Sequence, residues 1–224
     1  MTGNDGNVIK VEITHTNLKG GLLRAGKGIN LPDTDLSIPA LSDKDLSDLE
    51  SVVQFADIIA LSFVRAPEDV FSLQDHLTRL GAEHLGVVLK IEISRAFENL
   101  PQLLLASLVS PPVGVMVARG DLGVEVGLER LAEVQEEILW FCEASHVPVI
   151  WATQVLEGMA KKGAPSRAEV SDAAMSGRAE CVMLNKGPYI VETVRFLSGI
   201  LERMDAHQSK RSTMMRRLSI SEID

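Results

Sequence analysis

The sequence predicts an α/β protein with about five short parallel strands, each followed by helix, forming part of a barrel or an open sheet. Three observations carry this. Five short apolar runs recur along the chain, and strands of such continuous apolarity are buried on both faces of a parallel sheet. The stretches between them have helical patterning, and a repeated βα order implies right-handed crossovers. Polar and charged residues gather where the runs end, at Ser62, Lys90, Glu92, Asp121, Thr153 and Asn185. Parallel folds keep their chemistry at the carboxyl ends of strands.

The elements follow in order. Residues 1–30 differ from the rest: Val8 to Ile13 alternates as a half-exposed strand does. Gly20, Gly21, Gly26 and Gly28 imply tight turns, and Asn30-Leu31-Pro32-Asp33 reads as an exit turn. Ser42 and Asp45 form a short capping box ahead of an acidic helical run to Ser51. The first buried strand is Asp57–Val64, and Pro67 starts a helix that runs to Leu80 and stops at Gly81. Gly86–Glu92 is the second strand, with a helix near 94–108. Val113–Ala118 is the third, followed by a glycine-rich loop and an amphipathic helix near 128–144. Val147–Thr153 is the fourth, with helical segments near 154–161 and 167–177. Glu180–Asn185 is the fifth, with a long helix to about His207.

Bulk properties narrow the function. The 224 residues, 46% hydrophobic, support a sizeable core. A complete (β/α) barrel typically needs ~250 residues, and five βα units fill only about five-eighths of one. A net charge of −9 and a pI near 5.1 argue against a nucleic-acid binder. No apolar run reaches membrane-spanning length. Thr2 to Asn7 has neither the basic start nor the apolar stretch of a signal peptide, so the expected location is cytoplasmic. Cys142 and Cys181 lie far apart, each in an apolar run, and read as buried free thiols. The five histidines are scattered, which disfavours a zinc site and a Ser-His-Asp triad. The basic tail carries Lys210, Arg211, Arg216 and Arg217 and reads as solvated. Arg216-Arg217-Leu218-Ser219 also has the form of a kinase-accepting sequence.

Lys90 and Glu92 are two apart on a strand, so their side chains share a face. Asp121 follows the next strand, so Glu92 and Asp121 stand at neighbouring strand ends where they can share one cation. Two carboxylates with room for water and substrate oxygens suit Mg²⁺ or Mn²⁺. Gly120 and Gly123 let the backbone approach a ligand. Lys90 is a cation able to neutralise a transferring phosphoryl group or a developing enolate. The plainer alternative is a self-satisfied Lys90–Glu92 ion pair with Asp121 capping a helix. Ser62 and Thr153, taken alone, could serve only to bond loop backbone. Arg119 is expected in an interface or a structural salt bridge.

Six motifs resemble the pyruvate kinase family, in order and at matching spacing. They are Gly26-Lys-Gly-Ile-Asn-Leu-Pro32, Leu61-Ser-Phe-Val-Arg65, Lys90-Ile-Glu92, Met116-Val-Ala-Arg-Gly-Asp-Leu-Gly123, Ala152-Thr-Gln154 and Ser166-Arg-Ala-Glu-Val-Ser-Asp172. The resemblance covers about residues 8–200. It implies a partial TIM-type (β/α) barrel preceded by the end of a small β lid. Residues 1–30 are then returning lid strands, 31–207 the C-terminal part of the barrel, and 208–224 the tail. It also implies roles: Glu92 and Asp121 hold Mg²⁺ or Mn²⁺, and Lys90 stabilises the phosphoryl group passing from phosphoenolpyruvate to ADP. The Gly120 and Asp121 N–H groups receive the substrate carboxylate. Thr153 lies in the proton-delivery path, and Ser62 at the phosphate end.

The departures matter equally. By the same resemblance, the family's first three barrel strands, and with them the residues that bind phosphate and K⁺, are expected to lie outside these 224 residues. K⁺ and ADP/ATP binding are therefore expected to need residues outside this chain. Asn185-Lys186-Gly187-Pro188 replaces the family's Ser-Gly-Glu-Thr-Ala, and by the same resemblance the family's C-terminal regulatory domain is expected to fall outside these 224 residues. The expected function is a pyruvate kinase-like phosphotransferase of glycolysis, with the chain alone inactive. The alternatives are a metal-dependent lyase or aldolase acting on pyruvate enolate, and a non-catalytic partner subunit. Exposed sheet edges imply a homo-oligomer.

Overall fold

A computed structural model describes residues 2–14, 16, 20–21, 25–26, 28–32, 34, 38–110 and 112–212, with side chains as far as residue 205. The chain divides into two units, residues 1–30 and 31–224. In the first, β1 (Gly3–Asn4) and β2 (Ile9–Lys10) pair antiparallel, with Gly3 against Lys10 and Asn4 against Ile9. The Asp5 carboxylate closes the turn by accepting the N–H groups of Val8 (2.7 Å) and Asn7 (3.1 Å). The strand expected over 8–13 is therefore only two residues long. Its alternation buries neither face: Ile9 is 62% and Val11 71% exposed. A ribbon this short offers no surface for packing, and without packing a period-two pattern does not hold a strand.

The second unit opens with α1 (Asp43–Val52) at the capping box read from the sequence. Ser42 Oγ accepts the Asp45 N–H, and the Asp45 carboxylate accepts the Ser42 N–H at 2.8 Å. β3 (Ile58–Leu61) leads to α2 (Pro67–Arg79), where the Asp69 carboxylate accepts the N–H groups of Arg65 and Ala66. Gly81, at φ +66°, ends that helix in a left-handed turn. β4 (Gly86–Ile91) is followed by two helices, α3 (Ser94–Glu98) and α4 (Leu100–Ser107), where one was expected. Pro101 causes the break, because a proline ring clashes with the carbonyl four residues back. Asn99 fills the junction by donating its amide to the Arg65 carbonyl at 2.8 Å.

β5 (Val113–Ala118) runs into α5 (Arg119–Val126) and α6 (Leu128–Ala144). The glycine-rich loop expected after β5 is therefore helical, and the chain breaks instead at Gly127, φ +81°. β6 (Val149–Val155) outruns its expected end at Thr153. α7 (Glu157–Lys162), α8 (Arg167–Met175) with a 3₁₀ turn at Ser176–Arg178, β7 (Cys181–Leu184) and α9 (Ile190–Ser212) complete the unit. α9 continues past His207 through Lys210 and Arg211, whose side chains lie outside the described residues, as do Arg216 and Arg217 entirely.

The sheet order is β3-β4-β5-β6-β7, and every neighbouring pair is parallel. Each strand adds beside its predecessor and the order never reverses. A doubly wound sheet requires a reversal, so this winding is that of a barrel segment. One face packs under the helices: Leu61, Leu89, Ile91, Val117 and Trp151 belong to a single apolar core with residues of α2, α4, α6 and α8. Lys90, Met116 and Ile150 alternate with them and look to the other face. The apolar runs are deeply buried only in β4–β6. The edge strands β3 and β7 have one neighbour each, and Ile58 is 62% exposed. The same edge position explains Cys181, which is exposed rather than buried as expected, whereas Cys142 on α6 is buried.

Candidate functional site

Glu92 is the most enclosed charge of the sheet, at 2% exposure. It directly follows β4, a central strand, and its two oxygens have separate tasks. Oε1 takes the Lys90 ammonium at 2.7 Å, and Oε2 accepts the Phe63 N–H at 2.7 Å. Lys90 Nζ donates to Ser62 Oγ at 2.9 Å. Ser62 and Phe63 continue from β3, and Phe63 adopts φ +51° as its N–H meets Glu92. Strand alternation thus brings Lys90 and Glu92 to one face as expected, and the neighbouring strand end brings Ser62 to the lysine. The ion pair anticipated as the plainer alternative is present. Its lysine side chain keeps 23% exposure, so the charge faces the open side of the sheet.

The next strand end supplies Arg119, Gly120 and Asp121 as the opening residues of α5. Val117 pairs with Ile91, so Asp121 begins a helix at the strand end beside Glu92. Backbone N–H groups in a first helical turn have no carbonyl within their own helix to bond. Gly120 is required by close approach: a Cβ there would sit 2.7 Å from the Thr153 side-chain methyl. Thr153 itself lies at φ +73° and Gln154 at φ +60°, inside a break of the β6–β7 register between Trp151 and Val155. A β-branched residue rarely adopts that conformation.

Arg119 organises this corner. Its Nε donates to the Ala152 carbonyl at 2.9 Å and its Nη2 to the Thr153 carbonyl at 2.6 Å. Asp172 of α8 pairs with the guanidinium through both carboxylate oxygens, one of them at 3.0 Å. The guanidinium carbon stands 4.7 Å over the Trp151 ring. The salt bridge read for Arg119 is therefore found, but its carbonyl bonds and the positions of Asp172 and Trp151 were not legible. The Arg-Gly-Asp and Ala-Thr-Gln motifs quoted above were the available signal.

Two neighbours of the corner are equally constrained. Glu169, three residues into α8, accepts the N–H groups of Ser166 (2.7 Å) and Gly158. Burial alone would raise its carboxyl, but the Ser166 and Gly158 donors together outweigh burial and hold it below the usual 4.5. In Asn185-Lys186-Gly187-Pro188, a Cβ at Gly187 would meet the Ala160 carbonyl oxygen at 2.1 Å. The Tyr189 N–H donates to that same oxygen at 3.1 Å.

The donor set fits a hard divalent cation. Each Glu92 oxygen accepts one hydrogen bond and retains acceptor capacity, and Asp121 adds a second carboxylate. Among the described residues no group of three or more His, Cys, Asp or Glu is placed to hold a metal ion. No described helix is long and apolar enough to cross a membrane.

Comparison with known proteins agrees with the fold. The model of the pyruvate kinase barrel domain matches residues 4–194. Pyruvate kinase PKLR of Rattus norvegicus is 38% identical over 211 residues, which is 91% of this chain and 35% of that protein. A pyruvate kinase of Bacillus licheniformis is 35% identical over 98% of the chain and 38% of its own length. One from Mycobacterium intracellulare is 39% identical over 85% and 40% respectively. The chain thus spans only 35% to 40% of the length of these relatives. With the barrel-domain match extending from the first unit into α9, and with parallel strands wound in barrel order, the chain belongs to the pyruvate kinase family.

Proposed function

We propose that the chain carries the metal and phosphoryl half of a pyruvate kinase site, which transfers phosphate between phosphoenolpyruvate and ADP. The observation that carries this is the linked group Ser62–Lys90–Glu92 on the inner face of the sheet, beside the Arg119-Gly120-Asp121 helix start. Glu92 and Asp121 would hold Mg²⁺ or Mn²⁺. When bound, the cation supplies positive charge to the carboxylate and enolate oxygens of the substrate. Lys90 presents its ammonium to the phosphoryl group and Ser62 orients that ammonium. Gly120 and Asp121 offer backbone N–H groups to the carboxylate, and Thr153 stands in the path of the proton. Phosphoryl transfer asks little covalent work of a protein and depends on positioning and charge, which these residues supply.

The nucleotide, K⁺ and the remaining contacts to the substrate phosphate, beyond Lys90 and Ser62, are assigned to residues that family members carry outside this span. The proposed setting is a cytoplasmic, homo-oligomeric glycolytic protein. The isolated 224-residue chain is expected to bind Mn²⁺ weakly, to bind oxalate only with Mn²⁺, and to form no pyruvate from phosphoenolpyruvate and ADP. Water-proton relaxation titrations of Mn²⁺ and oxalate test the site. Failure of wild type to bind Mn²⁺, or undiminished binding in Glu92→Gln and Asp121→Asn, would overturn the assignment. Pyruvate formation by the chain alone would overturn the division of labour.

A further inference from the structure

We infer that Arg119 is a positioning residue, which holds Thr153 in its left-handed conformation and so keeps its side chain against Gly120. The inference rests on the reading of Thr153 and Gly120 as substrate-facing residues. Thr153 is β-branched and sits at φ +73°, with Gln154 at φ +60° directly after it. Such backbone conformations persist only where the surroundings over-determine them. Arg119 is the group that does so here. Its Nε and Nη2 donate to two successive carbonyls, those of Ala152 and Thr153, and so fix the peptide planes on both sides of the Thr153 α-carbon.

The arginine is itself immobilised. Asp172 takes the outer edge of the guanidinium in a two-point contact, and the Trp151 ring lies 4.7 Å beneath it. Trp151 is fully buried, so the guanidinium rests on a packed ring and not on a solvent-exposed one. A planar fork with several donors can hold two carbonyls and a carboxylate together, whereas an ammonium on a flexible stem cannot reproduce that set of directions. The consequence reaches Gly120, next to Arg119 in sequence. A Cβ at Gly120 would stand only 2.7 Å from the Thr153 methyl, so the second residue of α5 and the residue held by the guanidinium form one close-packed corner. A salt bridge needed only to tie α8 to α5 would not require the two carbonyl bonds.

The test uses the full chain labelled with ¹³C at threonine. The Cα and Cβ shifts of wild-type Thr153 are expected to show the left-handed signature. In Arg119→Ala and Arg119→Lys they are expected to move to the extended range, while Thr78 and Thr193 stay in place. Asp172→Asn, which leaves the guanidinium less firmly anchored, is expected to produce a smaller displacement in the same direction. Folded Arg119→Ala or Arg119→Lys protein with unchanged Thr153 shifts overturns the inference, as does a wild-type Thr153 without the signature. If Arg119→Ala fails to fold, the lysine and Asp172 variants decide. A second readout separates positioning from general damage. In Arg119→Lys the affinity for Mn²⁺ alone is expected to hold, while oxalate binding to the Mn²⁺-loaded chain falls about tenfold. If oxalate does not bind wild type, the proposed function fails, and the Thr153 shifts still decide the role of Arg119.

Discussion

The two ends of the sheet are built on different terms. At the carboxyl end, Lys90 and Glu92 are paired, Arg119 is pinned between Asp172 and two carbonyls, and Phe63, Thr153, Gln154 and Leu156 all adopt positive φ. At the amino end the strands start by ordinary bonds, such as Val115 N–H to the Pro148 carbonyl at 2.9 Å. A cavity of about 1010 Å³ opens there, lined by residues that include Leu139, Cys142, Val149 and Met175. Its buried polar need is modest: the Glu180 carboxylate accepts the Val149 N–H at 2.7 Å. Strain and enclosed charge cost stability, and both are concentrated where parallel folds place chemistry. At the amino end one described non-glycine residue, His146 ahead of β6, also adopts a positive φ (+55°), and the strands otherwise begin with little of that demand.

Changes at the carboxyl end should therefore cost far more than changes of similar size elsewhere. The largest effect is expected for Gly187→Ala, because the atom in its way is a backbone carbonyl that also accepts the Tyr189 N–H. Chemical denaturation should show a loss of about 3 kcal/mol, the upper part of the overpacking range. A loss near zero would mean that the Asn185–Pro188 segment is freer than this packing implies. Glu92→Ala should cost about 2 kcal/mol, less than a fully buried pair because water reaches Lys90. Glu92→Gln should cost less again, since the amide oxygen can still accept the Phe63 N–H. Asp48→Ala breaks the exposed Lys44–Asp48 pair and is expected to leave the unfolding midpoint almost unchanged. If the Glu92 and Asp48 variants cost the same, the contrast between enclosed and exposed charge fails.

Acid unfolding sharpens the comparison further. The Glu169 carboxyl is held below 4.5, so its contribution is complete above the unfolded value and is lost as pH falls through the lowered one. Thermal melts from pH 6 to pH 2.5 should show wild type losing more stability below about 4.5 than Glu169→Gln does. Parallel curves would remove Glu169 from the account. The smallest effect belongs to the amino end. Burial, and behind it the charge of Glu180, push the Cys142 thiol up to about 12, so it stays protonated and enclosed at neutral pH. Iodoacetamide on the native chain should label Cys181 and spare Cys142, as read by peptide mass mapping.

Much of the site was legible because its logic is local. Lys90 and Glu92 share a face by strand periodicity, and the Ser42–Asp45 and Ser166–Glu169 capping boxes need only a three-residue spacing. What failed was any inference that depended on neighbours. The Val8–Ile13 alternation is a good strand pattern, yet only Ile9 and Lys10 pair, because no packed face rewards the rest. Cys181 and Cys142 stand in equally apolar runs, but one lies on an edge strand and the other inside a helix layer. The helical start at Arg119–Val126 hid behind Gly120 and Gly123, whose low helix propensity is overridden by packing against Thr153 and Leu131.

By itself the sequence determined the repeated βα rhythm, the family and the polar and charged residues that gather at the strand ends. Periodicity, punctuation and motif spacing are properties of neighbours along the chain. Only the tertiary structure decided that the sheet winds in barrel order, that its edge strands stay open, and that Arg119 spans two carbonyls, Asp172 and Trp151. Those outcomes depend on which groups meet across long sequence separations, and packing, burial and desolvation are settled only when they meet.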